Sequence, residues 1–376
     1  MPALFASGDL PTRDARPAGG VCASGRHRAR GRGRGRVNAL NTLFVLSPGA
    51  YVTKDHLNLV VTVEGEVRMR VPIHGLASVV CFGHVMMSPG AMGSAAANGV
   101  LVAFFSRTGR FVARVEGVGR GSLRLRRAQL RTSEDSAATR EISRAIVLGK
   151  VANSRQLLLR RARETESPEA SAELASAAGH LSRLVPSITR AETADEIRGY
   201  EGDAAARYFG AFGSCISAPG FQFEKRSRRP PRDPVNALLS FAYAILLNDC
   251  VAALQGVGLD SDAGFLHRDR PGRPSLGLDL MEELRSPFAD RMVLALINRG
   301  QVTPSDFTAE PTGGVTLTAT ARREFLATYQ TRKQEEVNHP FLKETVPWAV
   351  VPHLQARLLA RHLRGDLDAY PPFTLR

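Results

Sequence analysis

Residues 264–287 hold a histidine followed by a short segment with three carboxylates, and these residue types suit a metal site. His267 lies in a loop rich in Gly, Pro and Arg, followed by a short segment with Asp279, Glu282 and Glu283. Asp279 and Glu282 are three positions apart, so on a helix they share one face. An imidazole and carboxylate oxygens together suit Mn²⁺ or Mg²⁺. Arginines suit a phosphate-bearing ligand, and the segment holds four: Arg268, Arg270, Arg273 and Arg285.

Glu201 is a third candidate ligand, far upstream in the stretch RGYEGDAAARYF. Small residues surround it, which lets another element or a ligand approach closely. The sequence separations between Glu201, His267 and Glu282 give no evidence for a shared site unless the tertiary structure brings the three residues together. Taken singly, each is more commonly a surface carboxylate or a structural histidine.

Length and composition favour a two-domain protein with a polyanionic partner. A chain of 376 residues is long for one core. The formal net charge of +14 makes nucleic acid the leading partner class and an anionic membrane surface its rival. No apolar run approaches the roughly 20 residues that a membrane-spanning helix needs. Four cysteines without a C-x-x-C pair predict reduced thiols in a cytoplasmic protein.

Residues 1–36 are predicted to be a disordered, arginine-rich extension. They hold eight Arg and two Asp, about +6 of the net charge, and too few apolar residues to offset the entropy of ordering them. One interpretation is an arm that binds nucleic acid. The interpretation that we favour is a translation start assigned too far upstream, with the true start near Val37.

The rest of the chain predicts an α+β fold: an N-terminal β-sandwich domain over residues 37–131, then a larger, all-α catalytic domain over residues 132–376. From Asn41 to about Leu130, short runs rich in Val, Phe and Leu alternate with turn residues. After Ser133 the apolar residues follow helical spacing. Helices are expected at residues 133–164, 170–184, 189–212, 234–258, 288–298, 322–336 and 352–363.

Five stretches occur in an order that resembles a known family. They are NTLFVLSPGAYV, RGYEGDAAARYF, RRPPRDPVNALLSFAYAILL, GLDSDAGFLHRDRPGRPSLGLDLMEELRSPFADRMVLALINR and LQARLLARHLRGDLDAYPPF. Together they resemble the CRISPR-associated spacer-acquisition endonuclease/integrase, the Cas1 family, and within it subtype I-C. The resemblance covers about residues 41–373, and the arginine-rich extension departs from the family pattern.

The resemblance implies a metal site and its ligands. Glu201, His267 and Glu282 match the residues that hold a divalent metal, Mg²⁺ or Mn²⁺, and are therefore the expected catalytic residues. Asp279 matches a nearby acidic position and is the weaker fourth ligand, whereas Glu283 is expected to face elsewhere. Asn236, Ser240 and Tyr243 either line this site or pack inside a buried helix.

The resemblance also implies the reaction and the partners. The family inserts short foreign DNA segments as new spacers into a CRISPR array, in antiviral defence. A DNA 3′-hydroxyl attacks a phosphodiester at the edge of a repeat, or water attacks in the nuclease reaction. A homodimer, the small protein Cas2 and double-stranded DNA are the implied partners, with no membrane. The residues expected to contact the DNA backbone are Lys150, Arg155, Arg161, Lys225, Arg228, Arg229 and Arg273.

Two other functions stay open from the residues alone. In the first, the chain is a non-catalytic scaffold that binds nucleic acid, and the acids and the histidine are structural. In the second and weaker one, it is a metal hydrolase for a small phosphate ester, although a net charge of +14 exceeds what a small substrate requires.

Overall fold

The computed structural model describes residues 4–6, 41–107, 111–115, 123–311 and 313–375. The N-terminal part is built from short strands and one helix, as predicted. Its elements are β1 (Leu4–Ala6), β2 (Asn41–Val45), β3 (Tyr51–Asp55), β4 (Asn58–Val63), β5 (Glu66–Pro72), β6 (Leu76–Phe82), β7 (Met86–Met87), α1 (Pro89–Ala97), β8 (Leu101–Phe105) and β9 (Phe111–Val115).

These strands form two sheets. One has the order β1-β2-β6-β8-β9, parallel except for its β8–β9 pair, and the other has the order β5-β4-β3-β7. Successive residues of a strand face opposite sides of a sheet. Leu43 and Val45 accordingly join a hydrophobic cluster shared with the four-stranded sheet, whereas Phe44 joins a cluster shared with the helices. The central strands are therefore buried on both faces.

The extension departs from the prediction at one short strand. Leu4–Ala6 pairs in parallel with residues 43–45 of β2, although residues 1–36 were predicted to be disordered. An open sheet edge offers unpaired backbone groups to which an extended segment can add. The other residues of that prediction lie outside the part of the chain that the structure describes.

The C-terminal part is mostly helical. Its helices are α2 (Leu123–Glu134), α3 (Ser136–Glu164), α4 (Pro168–Arg190), α5 (Ala194–Gly210), α6 (Pro234–Val257), α7 (Ser275–Glu282), α8 (Arg291–Asn298), α9 (Ala319–Gln334) and α10 (Val351–Leu363). Side chains of Asp135, Ser167, Thr193 and Asp233 accept backbone N–H groups at the starts of α3 to α6, which satisfies donors that a helix leaves unpaired.

Two expectations for this part were wrong. The β pattern was extended to about Leu130, but α2 begins at Leu123 and buries Leu125 and Gln129, one helical turn apart. The domain is also not all-α, because it holds two hairpins. One pairs β10 (Phe307–Ala309) with β11 (Val315–Leu317), and the other pairs β12 (Glu336–His339) with β13 (Glu344–Pro347). Strands of three or four residues are too short to show an alternating pattern.

Helix α6 explains the long apolar stretch after Pro234. By length and composition it is the one helix in the described residues that could cross a membrane, contrary to the expectation that no run approaches that length. Two thirds of its apolar window is buried inside the protein. Phe241 of α6 lies 5.7 Å from Phe82 of β6 and 4.9 Å from Phe325 of α9, ring centre to ring centre. The apolar composition of α6 therefore matches its place in the shared core.

Candidate functional site

Two of the predicted metal ligands contact one buried lysine, and the third lies beside one of those two. Glu201 is on α5, Glu282 ends α7, and His267 lies in the loop between α6 and α7. Lys150 of α3 donates to the Glu201 carboxylate, and its Nζ is 2.7 Å from Glu282 Oε2. His267 Nε2 is 3.8 Å from Glu282 Oε1. Tertiary structure thus gathers residues that are far apart in sequence.

Glu282 is a buried carboxylate held in its ionised form. Its exposure is 1%, and the Arg285 guanidinium lies 2.8 Å from Oε1. Burial opposes ionisation, but Arg285, Lys150 and His267 together lower the pKa of Glu282 to about 2. Oε2 makes no hydrogen bond of good geometry within the described part of the chain, although the Lys150 ammonium is beside it. This oxygen retains the capacity to bind a cation.

Asp279 holds the loop that carries His267. Its Oδ2 accepts the backbone N–H groups of Phe265 and Leu266, at 2.7 and 3.0 Å. Its Oδ1 accepts the backbone N–H of His267 at 2.9 Å and pairs with Nδ1 of the same residue at 2.7 Å. A Cβ on Gly264 would lie 2.8 Å from Ser275 Cβ, so only glycine lets the loop pass this closely.

These bonds change the interpretation of Asp279 as a fourth ligand. A carboxylate only accepts, so Nδ1 of His267 carries the proton of the shared bond and Nε2 faces Glu282. Both Asp279 oxygens already have donors, which favours a positioning role over metal binding. A carboxylate that orients a ligating histidine is common around metal sites.

Helix α5 is tied to the same loop by two contacts. Arg198 donates to the Leu266 carbonyl at 3.0 Å, and Arg268 pairs with Asp195 at 2.7 Å. Because Glu201 lies on α5 as well, these contacts set the distance between Glu201 and His267.

A buried network behind the site was missed from the sequence. Asp290 accepts hydrogen bonds from Tyr208 and Tyr243, at 2.7 and 2.5 Å. Burial raises the pKa of Asp290, while both hydrogen bonds oppose that shift. The Arg285 guanidinium lies 5.0 Å from the centre of the Tyr243 ring. Tyr243 thus supports Arg285, the ion-pair partner of Glu282. The two roles predicted for Tyr243 were lining the site and packing inside a buried helix, and this contact favours the first.

Asn236 and Ser240 instead hold the preceding loop. Asn236 Oδ1 accepts from Arg226 at 2.6 Å, and Ser240 Oγ accepts from the same guanidinium at 3.1 Å. Two roles were predicted for Asn236 and Ser240, lining the site and packing inside a buried helix. These contacts favour the packing role.

The basic residues predicted to bind DNA fall into two groups. Lys150 is 8% exposed and belongs to the site, and Arg161 pairs with Glu164 and the Cys215 carbonyl, so neither is a free surface cation. Arg155 is half-buried on α3. The periodicity could have revealed Lys150, since it is four residues from buried Ile146 and from buried Ser154.

The second group includes Arg228, Arg229 and Arg273, which form an arginine cluster at the His267 loop together with Arg270, a residue not among the predicted DNA contacts. Three of them are exposed, as is Lys225 before them, and Arg273 is half-buried. Burial, then the neighbouring Arg270, and more weakly Arg229 and Arg228 lower the pKa of Arg273, against an opposing effect of Asp279. Like charges this close, without an ion pair among the described residues, favour an anionic ligand.

The donor set fits a divalent cation, although the residues that the structure describes contain no preformed group of three or more His, Cys, Asp or Glu side chains with metal-binding geometry. The Glu201 and Glu282 carboxylates both contact the Lys150 ammonium, and His267 Nε2 faces the Glu282 carboxylate. Lys150 therefore places positive charge where a metal ion would find oxygen ligands and one nitrogen.

Comparisons with known proteins identify the family. The sequence profile described as CRISPR associated protein Cas1 matches residues 43–331. The chain is 50% identical to the CRISPR-associated endonuclease Cas1 2 of Rhodospirillum rubrum, over 89% of this chain and 98% of that protein. It is 44% identical to the CRISPR-associated endonuclease Cas1 1 of Chlorobaculum tepidum, over 90% and 99%.

A solved structure has the same fold. A chain of a Cas6-RT-Cas1–Cas2 complex superposes with a TM-score of 0.76 at 25% identity, over 92% of this chain and 37% of that one. The profile match covers most of the chain, and two relatives match along nearly their whole lengths. This chain is therefore a member of the CRISPR-associated Cas1 protein family.

Proposed function

We propose that this protein is a metal-dependent DNA integrase and endonuclease that inserts short DNA segments into a CRISPR array. The observation that carries the proposal is the meeting of Glu201 and Glu282 at the buried Lys150 ammonium, with His267 beside Glu282. The arginine cluster beside the His267 loop supplies positive charge for a phosphate backbone. The relatives' names, CRISPR-associated endonuclease, support the same activity.

In this proposal the site residues have distinct tasks. Glu201, Glu282 and His267 Nε2 hold Mg²⁺ or Mn²⁺, which supplies Lewis-acid activation of a phosphoryl oxygen when bound. Asp279 keeps the His267 ring in the orientation that presents Nε2. Arg285 keeps Glu282 ionised in its buried position. The arginine cluster orients the DNA backbone without reading its bases.

The finer architecture and the setting belong to the same proposal. The two sheets share one hydrophobic cluster, which supports a β-sandwich. A Cas1–Cas2 complex among the similar structures supports a Cas2 partner, and we propose a homodimer, double-stranded DNA with CRISPR repeats as substrate, subtype I-C and a cytoplasmic location.

The first test compares integration and cleavage of DNA by the wild type with Glu201→Gln, His267→Ala and Glu282→Gln, in Mg²⁺ or Mn²⁺. Each variant removes one metal donor, so we expect activity to fall by about 100-fold or more in each. Glu134→Gln is the matched control, because Glu134 is exposed on α2 far along the chain from the site residues.

The same assay separates the proposal from a DNA-binding scaffold. The scaffold is favoured by one observation, that Lys150 already neutralises the two carboxylates. It predicts salt-dependent DNA binding with no metal-dependent product. Full activity of all three site variants would exclude the metal assignment, and binding without turnover by the wild type would favour the scaffold.

A further inference from the structure

The last residues of the chain are docked on the carboxylate next to Glu282. Glu283 is fully buried, and the Tyr370 hydroxyl donates to its Oε1. The backbone N–H of Phe373 donates to Oε2 at 2.5 Å, and Gln355 Nε2 lies 3.2 Å from both oxygens. We call residues 370–375 the C-terminal tail. Every described donor to the Glu283 carboxylate comes from this tail or from α10.

The tail is also bound to α3, on both sides of Lys150. Asn153 Nδ2 donates to the Glu283 and Phe373 carbonyls at 2.7 and 2.8 Å, and its Oδ1 accepts the Leu375 N–H at 2.8 Å. A Cβ on Gly149 would lie 2.8 Å from Pro372 Cβ. Any larger residue at position 149 would therefore push the tail or the helix away.

These contacts connect the tail to two residues of the site at once. Glu283 is covalently next to Glu282, and Gly149 immediately precedes Lys150. Lys150 and Glu282 in turn contact each other. Because Glu283, Asn153 and Gln355 are buried and their polar groups are paired with the tail, moving the tail would leave several buried polar groups without partners.

We propose that the C-terminal tail is a positioning element for the metal site, which holds the end of α7 against α3 so that Glu282 keeps its place opposite Glu201 and His267. This inference rests on the proposed function. Glu283 and Tyr370 are positioning residues in it, since they act through Glu282 and touch neither DNA nor metal. The tail position would then set metal affinity as well as stability.

The test measures Mn²⁺ affinity by electron paramagnetic resonance for the full chain and two variants, Tyr370→Phe and Gly149→Ala. Tyr370→Phe keeps the ring and removes one donor to Glu283, and Gly149→Ala introduces the contact with Pro372. We expect Mn²⁺ to bind about tenfold more weakly in each, the size typical for residues that support metal ligands. Trp348 is the single tryptophan, and its ring lies 5.3 Å from that of Phe373, so its fluorescence reports whether the tail stays docked.

Tyr329→Phe is the matched control, because it also removes a buried tyrosine hydrogen bond to a carboxylate, that of Asp249, which makes no described hydrogen bond or ion pair to Glu201, His267 or Glu282. Unchanged Mn²⁺ affinity in both tail variants, with Trp348 fluorescence showing a displaced tail, would overturn the inference. An equal loss of Mn²⁺ affinity in Tyr329→Phe would show that the effect of the tail variants comes from general destabilisation. That result would also overturn the inference. Glu282→Gln is measured alongside: if it binds Mn²⁺ as the wild type does, the metal assignment itself fails. If only Glu282→Gln weakens binding, the tail inference fails alone.

Discussion

At the residue scale, the site depends on a balance of buried charges. Glu201 and Glu282 face Lys150 and Arg285 across a few ångströms. Removing one member of a buried ion pair leaves its partner uncompensated, which is far more costly than losing a surface pair. Residue types made the carboxylates candidates for a metal. The two cations that lower the pKa of Glu282 became evident only in the folded protein.

The pKa of Glu282 leads to a prediction about stability and pH. Its folded pKa of about 2 lies below the ordinary value of 4.5, so its contribution is present above pH 4.5 and is lost as the pH falls toward 2. We expect Glu282→Gln to lower the free energy of unfolding by about 3 kcal/mol at pH 7. That difference should shrink between pH 4.5 and pH 2.

Urea unfolding of both proteins at pH 7, 4 and 3 measures this difference. Glu134→Gln serves as the reference for an exposed carboxylate. A difference between wild type and Glu282→Gln that stays constant down to pH 3 would contradict the low pKa of Glu282.

At the element scale, a loop and three helices are held together by a few polar contacts. Asp279 at the centre of α7 fastens the His267 loop with four hydrogen bonds. Arg198 and Asp195 on α5 fasten the same loop from the other side. Loops that carry functional groups need such support, because they lack the regular backbone hydrogen bonds of helices and strands.

Asp279→Asn tests whether this carboxylate positions the loop. The carbonyl oxygen of the asparagine amide still accepts but its NH2 group cannot, so at least one backbone N–H of the loop loses its partner, at about 1–3 kcal/mol for each buried donor. We expect faster hydrogen–deuterium exchange in residues 264–270 without metal, together with weaker integration. Unchanged exchange in that peptide would show that Asp279 does not hold the loop. Asp249→Asn, at a partly buried carboxylate whose described partners are Tyr329 and Lys333, is the control.

At the scale of the whole molecule, positive charge and layered packing act together. The five-stranded sheet is covered by the second sheet on one face and by the helices on the other. Lys333 of α9 is bonded to Asp249 of α6 and to Thr42 of β2, at 3.0 and 3.3 Å, which joins the two parts of the chain. The net charge of +14 favours binding of a polyanion.

Salt dependence of DNA binding tests the arginine cluster. Each phosphate contact contributes about 0.9 to the slope of log K against log salt, so Arg270→Ala combined with Arg273→Ala should reduce that slope by about 2. Arg160→Ala combined with Arg364→Ala makes the same change in net charge at exposed ion pairs. Equal effects of the two double variants would show that total charge, rather than the cluster, binds DNA.

Much of the fold was predictable, because local patterns encode it. The β runs before residue 116 and the long helices α3 to α6 show clear periodicity and start signals. The start of α2 and the presence of the two short hairpins were predicted wrongly, since short elements carry too few residues to show a period. Glu201, His267, Glu282 and Asp279 were named from motif and resemblance, and the structure brings them together.

The sequence by itself determined the chemistry that is available: hard oxygen ligands, an imidazole, arginines for phosphate, and a basic surface. Tertiary structure alone decided which groups meet. It moved Lys150 from an expected DNA contact to a buried partner of two carboxylates, and Asp279 from an expected ligand to the anchor of a loop. It also showed that Glu283, which was expected to face away from the metal, binds the C-terminal tail. The physical reason is that burial and pairing depend on residues distant in sequence, which no local pattern records.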